Sequence, residues 1–209
     1  MNEKAAITLA MQSKPSIKER QRALREEAIL DSAVKLISER GFASVTFEQI
    51  ADEACVSKPT LYQHFRSKDE IAARLSIRCL CMARDRILAV PSDLPADERL
   101  RQTLRTVVEF RLDEKLSLYV DLAQKVLPIR HDNLEIKAIE EELGGMLESM
   151  LVQAQEMGSV RRDLSVQFLR RILFSIFKDE TYITPQAMME TANQFADEVF
   201  TLLGMPKSS

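Results

Sequence analysis

Apolar residues return at intervals of three and four along nearly the whole chain, in runs separated by short polar breaks. That spacing is the strongest constraint on the fold. Ile29, Ala33, Leu36 and Ile37 set the pattern, Phe47, Ile50, Ala51 and Ala54 repeat it, and Met188, Ala192, Phe195, Val199 and Leu203 carry it to the end. With only 5 Gly and 7 Pro in 209 residues, the chain lacks the turn formers a β-sandwich needs between its strands, so the expected class is all-α. The length suits one domain, or two small ones that share a core.

Start and stop signals divide the pattern into helices. The first runs from about Lys18 to Arg40 and stops at Gly41, which can take a left-handed backbone conformation. Thr46 can cap a second, its hydroxyl accepting from an otherwise orphan N–H, and Ser57 a third, with Pro59 tolerated in the first turn. Ser67 starts a fourth that runs towards Val90, where Pro91 and Pro95 break it. Later segments at 97–114, 115–127, 134–157, 165–178 and 185–203 also read as helices, and Gly144-Gly145 marks a kink or a close contact. The expected organisation is a basic flexible arm at 1–20, a three-helix bundle at 21–68, and a larger helical body at 69–209, entered through a long helix.

Several function classes have little to stand on. His64 and His131 are the only histidines, and there is no Gly-rich phosphate loop, nucleophile elbow or His/Cys/Asp cluster at metal spacing. Neither catalysis nor a metal or cofactor is expected. Cys55, Cys79 and Cys81 are odd in number, and the last two lie about 200° apart on one helix, where they cannot bond to each other. They read as small core residues or as a redox or metal switch, and a reducing cytoplasm suits such cysteine usage. No run approaches the ~18 apolar residues of a membrane span. The stretch after Lys4 is at the lower length limit for a signal peptide and lacks a small-x-small cleavage site.

Net charge is -3, but residues 1–25 carry Lys4, Lys14, Lys18, Arg20, Arg22 and Arg25 against Glu3 and Glu19. A basic leader ahead of a folded domain either tracks a phosphate backbone or is a solvated tail.

Thr46 to Phe65, TFEQIADEACVSKPTLYQHF, places two short helices across a very tight turn, the pattern of a helix-turn-helix. At about 100° per residue Leu61 and Phe65 share the inward face of the second helix, while Pro59 and Gln63 point nearly opposite and Thr60 and Tyr62 flank that outward face. A helix of this kind can enter a major groove. Lys58 can then reach a phosphate or guanine edge, Thr60 a thymine methyl or phosphate, and Gln63 an adenine, while Tyr62 and Lys68 suit phosphate oxygens. His64 falls beside the core face, where a buried spacer and a DNA contact are both open.

The run from Gly41 to Ile71, GFASVTFEQIADEACVSKPTLYQHFRSKDEI, resembles the DNA-binding signature of the tetracycline-repressor (TetR) family. The resemblance implies a phosphate contact at Thr46, groove-reading positions at Ser57, Lys58, Pro59, Thr60, Gln63 and His64, and phosphate contacts at Tyr62 and Lys68. Two positions depart from the family pattern: Cys55 stands where the turn usually has Gly, and Glu48 puts a negative charge near the DNA side. The resemblance covers about the first 80 residues, and it implies a homodimer, formed through the last two helices, that represses transcription until a small molecule binds in the body.

The residues support that outline. The segment with Leu164, Phe168, Ile172, Ser175 and Ile176, and the last one with Met188 to Leu203, carry more apolar surface than one neighbour needs. A twofold also places two recognition helices on half-sites about 34 Å apart, so the DNA partner should be a pseudo-palindrome. A pocket for a small apolar or amphipathic ligand is expected between 97 and 177. Phe110, Tyr119, Met146, Met150 and Phe174 are candidate lining residues, and Arg111, Gln124 and His131 candidate polar anchors, though residues of these types are more often ordinary core or surface. A rival scheme keeps the DNA site and switches it by oxidation of Cys55.

Overall fold

Ser16 opens the described structure with a reciprocal cap. Its hydroxyl accepts from the Glu19 N–H at 3.2 Å, and the Glu19 carboxylate accepts from the Ser16 N–H at 2.7 Å. The computed structural model describes residues 16–112, 133–178 and 198–204, and among these every regular element is helical. Helix α1 (Ile17–Arg40) is followed by a 3₁₀ turn (Phe42–Ser44), α2 (Phe47–Glu53), α3 (Lys58–His64), α4 (Lys68–Leu88), α5 (Ala96–Leu112), α6 (Leu134–Glu156) and α7 (Val166–Lys178). Residues 198–202 are helical as well.

The caps expected from the sequence are made. Thr46 accepts from the Gln49 N–H and Gln49 returns the bond to Thr46; Ser57 caps α3, with Pro59 inside its first turn; Ser67 caps α4. Gly41 ends α1 at φ 78°, its N–H donating to the Ile37 carbonyl. Two boundaries differ from expectation. Residues 17–20, expected in a flexible arm, belong to α1. The division at 68/69 cuts through a core, because Ile71, Ala72, Leu75 and Cys79 of α4 close the N-terminal bundle against Ile29, Leu36, Ile50 and Leu61.

Three apolar clusters follow the chain. The first unites α1 to α4 and reaches Phe110 of α5. A second packs Ala73 and Ile77 of α4 on Ile136, Ile139 and Leu143 of α6. The third joins Leu100, Leu104 and Val108 of α5, Met150 and Leu151 of α6, Leu169 and Leu173 of α7, and Val199, Phe200 and Leu203. Helix α4 thus serves both the bundle and the body. Gly144 sits buried in an unbroken α6 beneath the Arg170 guanidinium, so the glycine pair marks a close contact there.

Candidate nucleic-acid interface

The site is built outward from Leu61 and Phe65. Both are essentially fully buried, and they fix the rotation of α3 because the burial of two large side chains outweighs any surface preference by several kcal/mol (about 1.5–3 each). With that face inward, Ser57, Lys58, Pro59, Tyr62 and Gln63 are exposed and Thr60 is half-exposed. The turn before α3 is held by the Val56 N–H donating to the Ala51 carbonyl at 3.0 Å, and by Cys55 in a left-handed conformation at φ 52°. The Cys55 side chain is exposed.

Individual side chains are positioned by neighbours. Tyr62 stacks at a tilt on Phe47 of α2, ring centroids 4.9 Å apart, and remains 55% exposed, so its ring is braced while the outer part of the side chain meets solvent. The Thr60 hydroxyl lies 2.7 Å from that of Ser57, leaving the Thr60 methyl as its freer group. Thr46 is exposed at the start of α2, its hydroxyl already serving as the cap.

Two of the expected contact residues sit differently from the rest. The His64 side chain is 6% exposed and its Nδ1 lies 3.2 Å from Glu26 of α1, so it braces α3 against α1 and leaves the outward set. Its place beside the core face decides this: Phe65 pulls that side inward. Lys68 donates to the carbonyls of Phe42 at 2.7 Å and Val45 at 2.9 Å, and its ammonium lies 4.3 Å from the Phe42 ring centre. At most one of its three protons is left for a phosphate. Its larger task is to tie α4 to the loop that precedes α2.

Nothing in the sequence singles out Glu26. Burial pushes its carboxyl up, but hydrogen bonds from Arg22 and His64 outweigh this and hold it below the ordinary carboxylate range. Phe47, which braces Tyr62, carries only a core signal in its periodicity. The separation in sequence from Phe47 to Tyr62, and the 38-residue one from Glu26 to His64, leave no local signal. Elsewhere Lys35 pairs with Glu53 at 2.6 Å, tying α2 to α1.

Residues 29–75 match the model of the bacterial regulatory proteins of the tetR family, a span that runs from the first buried residue of α1 into α4. The chain carries the DNA-binding region of that family. The regulator is 26% identical over 187 residues, 86% of its own chain and 97% of the other, to the negative transcriptional regulator IcaR of the biofilm operon icaADBC in Staphylococcus epidermidis. It is 27% identical over 165 residues, covering 75% and 80% of the two chains, to the fatty acid metabolism regulator protein of Bacillus subtilis. Its fold matches the crystal structure of AibR in complex with isovaleryl coenzyme A and operator DNA, with a TM-score of 0.70, 22% identity, and coverage of 87% and 99%. The regulator is therefore a DNA-binding transcriptional regulator, and among the described residues every regular element is helical and no helix is long and apolar enough to cross a membrane.

The expected ligand residues do not converge in the described part. Phe110 is buried in the N-terminal cluster under the Arg86 guanidinium, 5.2 Å from its ring centre, where it joins the body to the DNA-binding bundle. Met150 is 3% exposed in the third cluster, with the Thr103 hydroxyl donating to its sulfur at 3.5 Å. Met146 touches the second and third clusters together. Phe174 edges an open groove of about 580 Å³ between α6 and α7, whose other walls include Lys137, Glu140, Glu141, Arg170 and Arg171. Tyr119, Gln124 and His131 lie outside the described residues, as does the side chain of Arg111.

Proposed function

We propose that the regulator is a homodimeric repressor that occupies a pseudo-palindromic operator through α3 and is released when a small apolar or amphipathic ligand binds its body. The observation that carries the DNA half is the split of α3: Leu61 and Phe65 are buried while Lys58, Pro59, Tyr62 and Gln63 stand exposed on a helix braced by α1 and α2. In this reading Lys58, Thr60 and Gln63 meet base edges. Ser57 and Pro59 face the groove beside them, Thr46 and Tyr62 lie along the backbone, and Lys68 offers its remaining proton to a phosphate.

Support for a dimer comes from α7. Val166, Leu169 and Leu173 fill the third cluster, while Phe168, 46% exposed, and the half-buried Ile172 fall about 130° and 90° from the middle of that face. A helix apolar on two sides suits a second partner. The ligand class is supported by the fatty acid metabolism regulator of Bacillus subtilis and by AibR with isovaleryl coenzyme A, which makes an acyl-coenzyme A the first compound to titrate.

The test is selection of bound duplexes from a random pool at two salt concentrations, with Gln63→Ala as the control for base reading. The expected result is an inverted repeat whose affinity falls as salt rises, with the preference relaxed at one position per half-site in the variant. No enrichment in the presence or absence of acyl-coenzyme A sinks the reading. Lys68→Ala is a poor control because it removes two structural hydrogen bonds. The exposed Cys55 thiol at the turn favours one second reading, oxidation as the releasing signal. A peroxide response that survives in Cys55→Ser removes it.

A further inference from the structure

Helix α1 is longer than its packing requires. Ile29 is its first buried side chain, so residues 17–28 add nothing to the core, and the ion pairs of Glu26 with His64 and Glu27 with Arg78 tie their last turn to the bundle. Short helical segments without tertiary contacts are marginal in water. This one continues a packed helix, and it is held by the Ser16–Glu19 cap and by Arg22 bonding Glu26 at 3.0 Å.

The side of α1 that faces the bundle changes character where it leaves it. At about 100° per residue Lys18, Arg22, Arg25, Ile29 and Leu36 fall within roughly 60° of one another, so one line of positions is apolar inside the bundle and cationic outside. The cationic part borders a groove of about 330 Å³ shared with α3, lined by Lys18, Gln21, Arg22, Arg25, Gln63 and His64. Two of its lining residues, Arg22 and His64, meet the carboxylate of Glu26. Among the described residues no carboxylate pairs with Lys18 or Arg25. Gln63, on the opposite wall, is the side chain best placed to read a base.

We infer that the projecting half of α1 is a second DNA-contacting wall, with Lys18 and Arg25 binding the phosphate backbone beside the groove that α3 enters. This rests on the DNA-binding reading of α3 and extends it to a helix outside the helix-turn-helix. From Lys18 to Arg25 the stripe is about 10 Å long, a distance over which duplex DNA presents about six charges. Because phosphates carry no base identity, the stripe adds affinity and fixes the docking angle of α3 without adding sequence preference. Arg22 bridges the stripe to Glu26 and so to His64, which couples backbone grip to the seating of α3.

The experiment measures affinity against salt for the selected duplex, comparing the unaltered chain with Lys18→Gln/Arg25→Gln and with Arg20→Gln, whose side chain lies on the far side of α1. Arg22 is left in place because it supports Glu26. The double variant is expected to lower the slope of log K against log salt by about 0.9 per phosphate lost, up to about 3.6 for a dimer that loses two contacts in each protomer, with the selected sequence unchanged. Arg20→Gln is expected to leave the slope as it is. An unchanged slope in the double variant overturns the inference while leaving the α3 reading intact. An equal loss per charge in Arg20→Gln also overturns it, since that is the mark of a diffuse field. An unaltered chain that binds no duplex in a salt-dependent way overturns both.

Discussion

Cys55 holds the turn between α2 and α3 at φ 52°, a conformation that costs a residue with a Cβ about 1–2 kcal/mol and glycine almost nothing. Glycine loses about 0.4–1 kcal/mol of that advantage through its more disordered unfolded state. Cys55→Gly should therefore stabilise the bundle by about 0.5–1 kcal/mol, read as a rise in melting temperature; a fall would mean that the thiol makes a contact worth more than the strain. At Glu26 the ionised form is favoured by folding, because the hydrogen bonds from Arg22 and His64 hold its carboxyl below the ordinary value. A depressed acid stabilises the fold above its unfolded pKa and loses that contribution as pH falls through the folded one. The melting-temperature gap between the unaltered chain and Glu26→Gln should be open at neutral pH and close below the carboxylate range. A gap that persists in acid would show that the amide disturbs packing instead.

At the level of elements, most of the N-terminal architecture is legible in caps and periodicity, because both act over three or four residues. Thr46, Ser57 and Ser67 each cap the helix their spacing announces, and Leu61 and Phe65 turn inward as the 100° rotation requires. Pairing across elements leaves no such trace. His64 lies between two faces of α3, and only the arrival of Glu26 from α1 draws it inside. The stripe at 18, 22 and 25 is visible in the sequence as charge and not as a wall, since its meaning depends on where α1 leaves the bundle. Helix α6 gives a sharper test of local energetics. Gly145 has open space around an added Cβ in the helix interior, whereas Gly144 lies against Arg170. Gly145→Ala should stabilise the chain by about 0.5–1 kcal/mol through helix propensity alone. A loss of melting temperature would mark Gly145 as a contact surface.

At the scale of the molecule the described helices are organised around α4, whose first half closes the bundle and whose middle packs on α6. Arg78 pairs with Glu27 and Asp31 of α1 while Arg74 and Arg84 reach Glu135 and Glu142 of α6, so α4 also carries ion pairs to both sides. Phe110 strengthens that join. The sequence leaves Phe110 open to core or pocket because it cannot tell which neighbour receives the ring, and the ring lies in the bundle core. Such a frame transmits a change in the body to α3 only if two copies hold their recognition helices at a set distance, which makes the dimer the critical assumption. The side of α7 opposite its core residues offers the surface for it, with Phe168 at 46% exposure. Phe168→Glu places a charge there without touching Val166, Leu169 or Leu173. Sedimentation should show the unaltered chain at twice 23.8 kDa and the variant at 23.8 kDa, with a similar melting temperature at high concentration. Binding to an inverted repeat should fall by about 10²–10⁴, the gain that linking two half-sites confers, while binding to a single half-site stays the same. An unaltered chain that sediments as a monomer on and off DNA would remove the twofold and the palindrome together. A dimeric variant would move the interface away from Phe168.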